Sequence, residues 1–281
     1  GSLLSLEYED GYWLIMTEAD ELHVEGCGSP MLNLVYDLEL GANLISYPDP
    51  GIVDISVAIP DEVEDKFDAI LSEGGAAMNT EIGWIGSLTH FSGGSGYWVI
   101  VDEELSFSFN SDQLGRYDSE QYIEELPNLF EFNTIQSSEQ AFYFVEEIEL
   151  QNGLVEHGDW LLTYNDNIVT GIRQWQGSMV DVPAMGYSKY DIRTDNYFVE
   201  GGIPSFKLLK QSSGELIELN GYVEEWVANG VYTVSKLIEV ENYLEKIGLN
   251  EAYPNPFNPV TTLSYNLNID SHISITIYDL K

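Results

Sequence analysis

The sequence predicts a mainly β protein, in which a small α+β repeat module precedes a β-sandwich of immunoglobulin-like or jelly-roll-like kind. Two observations carry this. Short alternating apolar runs separated by turn residues fill residues 114–245, the pattern of a sandwich. Ahead of them, GSLLSLEYEDGYWLIM from Gly1 recurs without a gap as GSLTHFSGGSGYWVIV from Gly86, so tandem modules are expected. The resulting partition is residues 1–28 as the rear part of a first repeat whose front is missing, 29–112 as a complete repeat, 113–246 as the sandwich, and 247–281 as the start of another β-domain that is cut short.

In the complete repeat, Leu32, Leu34 and Tyr36 alternate as a first strand, and Asn43 to Pro48 make a second that stops at the proline. A helix is expected next. Asp61 would cap it with Glu64 three residues on, Val63, Phe67, Ile70 and Leu71 share a face, and Gly74-Gly75 end it. Trp84-Ile85 and Tyr97 to Ile100 read as strands around a hairpin loop Ser92 to Ser95. That loop lacks the Gly-x-Ser-x-Gly order of a nucleophile elbow, so Ser95 is read as turn chemistry. Tyr97 and Trp98 could form a sugar-stacking platform, although alternation turns one of them inward.

In the sandwich, Phe130 to Phe132 and Ala141 to Val145 precede an Asn152-Gly153 turn, and Trp160 to Tyr164 returns as Ile168 to Arg173 in a hairpin. Residues 174–202 read as one long aromatic loop, and a loop of that length inside a compact domain is usually either functional or poorly ordered. Trp175, Tyr187, Tyr190 and Tyr197 are therefore the candidate contacts for a glycan or protein ligand. Asn165, Asp166 and Asn167 are a candidate calcium site, though turn formation explains the same three residues. Phe206 to Leu209, Leu216 to Leu219 and Val231 to Val234 complete the predicted sheets.

Composition narrows the function. Asp and Glu number 48 against 10 Lys and Arg, a formal charge of −38 that repels phosphate backbones and anionic membranes, so no nucleic-acid partner is expected. Such a surface suits salty water, with calcium binding the sharper alternative. No apolar run is long enough to span a membrane as a helix. A lone Cys27 precludes an internal disulfide framework. No signal-peptide pattern opens the sequence at Gly1. Glu146, Glu147, Glu149, Glu224 and Glu225 supply carboxylates, and His23, His90, His157 and His272 supply imidazoles, but neither set falls at a catalytic or ligand spacing. No catalytic residue and no obligatory cofactor is expected, and the chain is read as not an enzyme.

The last residues are the most specific. Tyr253, Pro254, Asn255, Pro256, Phe257, Asn258 and Pro259 form a stiff, extended lead-in, after which Leu263, Tyr265 and Leu267, then Ile273, Ile275 and Ile277, alternate as strands. This stretch resembles the opening of the type A C-terminal sorting domain of the type IX secretion system. The resemblance implies an outer-membrane export machinery as partner and a secreted or surface-attached location outside the cell. The phrase Gly41 to Pro48, with Gly96-Tyr97-Trp98 downstream, resembles modules that stand beside such sorting domains, and the hairpin from Gly158-Asp159 to Val169-Thr170-Gly171 looks like a β-sandwich often placed just before them. The expectation is a segment of an exported surface protein with spacer or adhesion modules. The alternative is the accessory, carbohydrate-binding region of an exported hydrolase whose catalytic domain lies elsewhere.

Overall fold

Short apolar runs punctuated by glycine, proline and acidic turns make strands of nearly every element, and the architecture is mainly β. The computed structural model describes residues 6–15, 34–110, 134–240, 248–249, 252–253, 255–256, 259–266, 273–274 and 276. They fall in two units, Gly1–Glu239 and Val240–Lys281.

The first half of the larger unit contains β1 (Tyr36–Leu38), β2 (Gly41–Ser46), β3 (Ile52–Asp54), the single turns α1 (Ile55–Ala58) and α2 (Asp61–Glu64), then β4 (Phe67–Ser72), β5 (Gly75–Thr80), β6 (Gly83–Gly86), β7 (His90–Ser92), β8 (Gly96–Val101) and β9 (Leu105–Phe107). An antiparallel sheet in the order β2-β8-β4-β5-β6 forms its centre, and the pairs β1-β9 and β3-β7 stand apart from it. One face of this sheet buries Ile45, Phe67, Ile70, Tyr97 and Val99 with Tyr36, Phe91 and Phe107 from the small pairs. The aromatic rings there meet mostly edge to face, as between Phe91 and Tyr97 at 4.8 Å, the arrangement that their quadrupoles favour.

The helix expected from Asp61 to Leu71 is a correction. Only Asp61–Glu64 is helical, Pro60 occupies the cap position, and the chain re-enters the sheet as β4. The reason is burial on both faces. Ile70 packs into the aromatic core while Leu71 packs on the opposite side, so the run does not alternate and its spacing imitates a helical stripe. Glu64 does not cap the helix; its carboxylate accepts the Trp84 indole N–H at 2.6 Å. Gly74, at φ +72°, is the turn between β4 and β5 and not a helix end. The loop Ser92 to Ser95 is likewise no hairpin, since β7 pairs with β3 and β8 with β2 and β4.

The second half contains β10 (Gln140–Val145), β11 (Ile148–Glu149), β12 (Trp160–Asn165), β13 (Ile168–Gln174), β14 (Val180–Met185), β15 (Ser205–Leu209), β16 (Leu216–Asn220), β17 (Val231–Val234) and β18 (Leu237–Glu239). Sheets β14-β10-β17 and β11-β18-β16-β15-β12-β13 face each other over a core of Tyr143, Leu161, Val182, Phe206, Leu208 and Trp226. This is the expected sandwich. The parallel ladder β10-β17 continues into β11-β18 through Glu146 N–H to Val234 O at 3.0 Å and Leu237 N–H to Glu147 O at 2.9 Å, so one strand pair turns the corner from sheet to sheet.

The β12-β13 hairpin forms as expected, with Asp166 at φ +51° in its turn. The long loop after it does not stay a loop. It includes β14, wholly buried, and a turn of 3-10 helix at Ile192–Thr194. Pro183 hides this strand from a sequence reading, yet β14 is an outer strand of its sheet, where a missing N–H breaks no ladder. Gly171 lets β14 come close, because a Cβ there would lie 1.8 Å from the Pro183 carbonyl oxygen.

The two halves share an interior. Phe142 and Phe144 of β10 point away from the sandwich core and pack with Leu71, Ala76, Trp98 and Ile100 on the rear of the five-stranded sheet. A polar joint lies beside them. The Asp181 carboxylate accepts from Ser87 N–H at 2.7 Å, Ser87 Oγ–H at 2.6 Å and Ala76 N–H at 3.2 Å, and the Arg173 guanidinium reaches both this carboxylate and the Gly74 carbonyl. Burial pushes the Asp181 carboxyl up from its ordinary range, and Arg173 and the Ser87 donors act in the opposite sense.

In the smaller unit, β19 (Gly248–Leu249) pairs with β20 (Tyr265–Asn266), and Tyr253 exchanges two backbone hydrogen bonds with Thr262 at 3.1 and 3.0 Å. Tyr253, the first residue of the expected extended arm, is thereby bridged to Thr262. Ile273, Ser274 and Thr276 carry no strand, and Pro254, Phe257, Asn258, Ile275 and Ile277 lie outside the described residues, as do Phe130 to Phe132 and Leu32.

Candidate functional site

Both copies of Gly-Tyr-Trp arrive at one place. Glu9 to Gly11 run antiparallel along β2, with Asp10 opposite Ile45, and the chain then passes towards β8. A Cβ on Gly96 would stand 3.6 Å from the Gly11 Cα, so the glycines of the two copies face each other. Tyr12, Trp13, Tyr97 and Trp98 consequently line one open cleft of 1020 Å³.

Each wall has a structural reason. Tyr97 alternates inward and its hydroxyl accepts the Ser92 N–H at 2.7 Å, which fixes the loop at the cleft mouth. Trp98, its neighbour, points to the other face and packs on the joint with β10, so both residues of this pair are held by the interior and not one alone. Tyr12 is 40% exposed, and its hydroxyl takes the Glu7 N–H at 2.8 Å and meets Asp10 Oδ2 at 3.4 Å, which sets the ring in position. The indole N–H groups of Trp13 and Trp98 are buried without a hydrogen-bond partner among the described residues. Glu73, His90, Ser92 and Ser95 add polar groups at the rim.

The arrangement combines flat aromatic surface with hydroxyl and carboxylate groups, the equipment for holding a sugar ring by stacking and hydrogen bonding. His90 Nδ1 lies 2.7 Å from the Thr89 hydroxyl on an exposed strand end. Of the carboxylates singled out in the sequence, Glu147 and Glu149 both hold Lys236, Glu149 more closely.

The aromatic residues predicted as ligand contacts are dispersed. Trp175 is 8% exposed and belongs to the sandwich core, and Tyr197 is buried with its hydroxyl accepting the Ile135 N–H at 2.7 Å. Tyr187 and Tyr190 remain open to solvent at 40% and 71%, the Lys189 ammonium lying 4.8 Å from the Tyr190 ring centre. These four do not make one stacking surface. At Asn165, Asp166 and Asn167 the turn accounts for the residues, Asn165 Nδ2 donating to the Asn196 carbonyl at 3.0 Å. Among the described residues no three His, Cys, Asp or Glu side chains gather to hold a metal.

The repeat is legible in the sequence and its convergence is not. Nothing in the spacing says that copies 85 residues apart meet, since that follows from the free edge of β2. Asp181 does carry a signal in the sequence, since an acidic residue inside the apolar run Val180 to Met185 marks a buried polar joint.

Comparison with protein-family models, with curated proteins and with solved structures found no match. Among the described residues no helix is long and apolar enough to cross a membrane.

Proposed function

We propose that this chain is an adhesive and spacing segment of an exported bacterial surface protein, and that the cleft between the two Gly-Tyr-Trp copies takes a glycan. The observation that supports it best is the arrival of Tyr12 and Trp13 beside the second Gly-Tyr-Trp copy at one open cleft lined by polar groups as well. Aromatic faces and hydroxyls recognise the apolar and polar sides of a sugar together. Export through the type IX outer-membrane machinery is the accompanying proposal. It rests on the Tyr253 to Pro259 sequence, whose Tyr253, Asn255, Pro256 and Pro259 are exposed.

Binding of the whole chain to a glycan array tests the first part, with Tyr12→Ala against Tyr190→Ala. Selective binding lost only in Tyr12→Ala supports the cleft; loss only in Tyr190→Ala moves the contact to the sandwich, and no binding leaves a spacer. For the second part, the chain is given a signal peptide in a type IX-secreting bacterium. Surface labelling that disappears when the exporter is deleted is the expected result, and periplasmic retention in both strains refutes it.

A further inference from the structure

The outer edge of β2 holds a second reading of the repeat. In an antiparallel ladder, alternate residues of a strand turn their backbone groups to opposite neighbours. Tyr47 N–H donates inward to Ser95 O at 3.1 Å, whereas Ser46 N–H donates outward to Glu9 O and Leu44 O accepts outward from Gly11 N–H, both at 3.1 Å. The Ser46 hydroxyl also bonds the Tyr8 carbonyl. Glu9 to Gly11 are the counterparts, in the other copy of the repeat, of Gly94 to Gly96. One strand is thus lined on both edges by the same repeat segment taken from two copies.

From this we propose that the β2 edge is a docking strand for the tail of the neighbouring repeat copy in the same chain, so that consecutive copies are joined by strand addition. The backbone ladder supplies attraction and the glycine supplies selectivity, as in other cases of strand addition. A Cβ on residue 11 would lie 2.7 Å from the Ile45 oxygen and 2.8 Å from Leu44 Cγ, so only glycine passes at this point. The same contact covers one of the two outer edges of the five-stranded sheet, and an open edge is a liability for association with other chains. Because the segment leads directly into Tyr12 and Trp13, docking also builds one wall of the cleft.

Hydrogen exchange on the full chain decides it. In Gly11→Val the Ser46 amide exchanges faster by about ten-fold or more, while Val99 in β8 keeps its protection and certifies the fold. An excess of synthetic peptide with the sequence of residues 6–13 restores Ser46 protection, and the same peptide carrying Gly11→Val does not. In the unmodified chain, protection at Ser46 is unchanged on hundred-fold dilution. Should Gly11→Val itself disturb Val99, Gly11→Ala is the smaller intrusion and is read in the same way. Unaltered Ser46 exchange in a folded variant, failure of the peptide to restore it, or loss of protection on dilution each overturns the proposal.

Discussion

Replacing Asp181 with alanine tests whether the two halves of the larger unit are one structure. Its carboxylate receives three hydrogen bonds from the repeat module, two from Ser87 and one from Ala76, besides the contact at 3.3 Å with Arg173. Hydrogen bonds to a charged group are each worth about 1.5–3 kcal/mol, but the buried carboxylate also gives up its hydration, so they do not simply add. Removing one partner from such a buried set costs about 3–5 kcal/mol. That is a large part of the roughly 5–15 kcal/mol available to a domain. Ser87→Ala, which removes one donor and leaves the others, is expected to cost about 1.5–3 kcal/mol. Urea unfolding followed by tryptophan fluorescence measures both. The double variant is expected to lose less than the sum, because the interaction removed is shared. A loss below about 1 kcal/mol for Asp181→Ala, or strict additivity with Ser87→Ala, would refute the joint as described.

Phe144→Ala is expected to lower stability by about 3–5 kcal/mol through the cavity left between the five-stranded sheet and β10, read as a reduced urea midpoint. Gly171→Ala, which drives a methyl to 1.8 Å from the Pro183 oxygen, should cost about 3 kcal/mol and loosen β14, visible as faster exchange of its amides. In alkali, burial holds the Tyr36 hydroxyl up at about 12 against 10.0 in the open chain. The folded state then binds more protons between those values, so this contribution is intact below pH 10 and is lost as pH rises to 12. The difference in tyrosinate absorbance between the unaltered chain and Tyr36→Phe should therefore rise together with unfolding in that window and not before it. With a formal charge of −38, raising salt from a few millimolar to about 0.15 M should raise the melting temperature, an effect absent if self-repulsion is unimportant.

The readable parts of the fold were those whose local pattern and tertiary environment agree. Trp160 to Arg173 carries a turn between two apolar runs and forms the hairpin that it predicts. Ala141 to Val145 is apolar throughout and is buried on both faces. The same two-sided burial defeated Phe67 to Leu71, where an intervening Asp68 gave the run a helical spacing. Val180 to Met185 was lost to a loop because Pro183 is discouraging locally and harmless at an outer strand. For the site, the Gly-Tyr-Trp copies were legible as a repeat, but their meeting depends on pairing across the whole module. The aromatic residues of 174–202 were legible as a cluster in sequence only, since Trp175 and Tyr197 satisfy the interior while Tyr187 and Tyr190 do not.

A sheet covered by different partners on its two faces has an order of manufacture. As the chain emerges from its N-terminal end, the five-stranded sheet can close with β8, yet its rear residues Leu71, Trp98 and Ile100 have no cover until β10 has been made. β10 in turn lacks its parallel neighbour until β17 follows it, some distance along the chain. For that interval the nascent sheet presents a greasy surface that invites aggregation, and a chaperone that shields exposed apolar sheet faces would be needed most at this step.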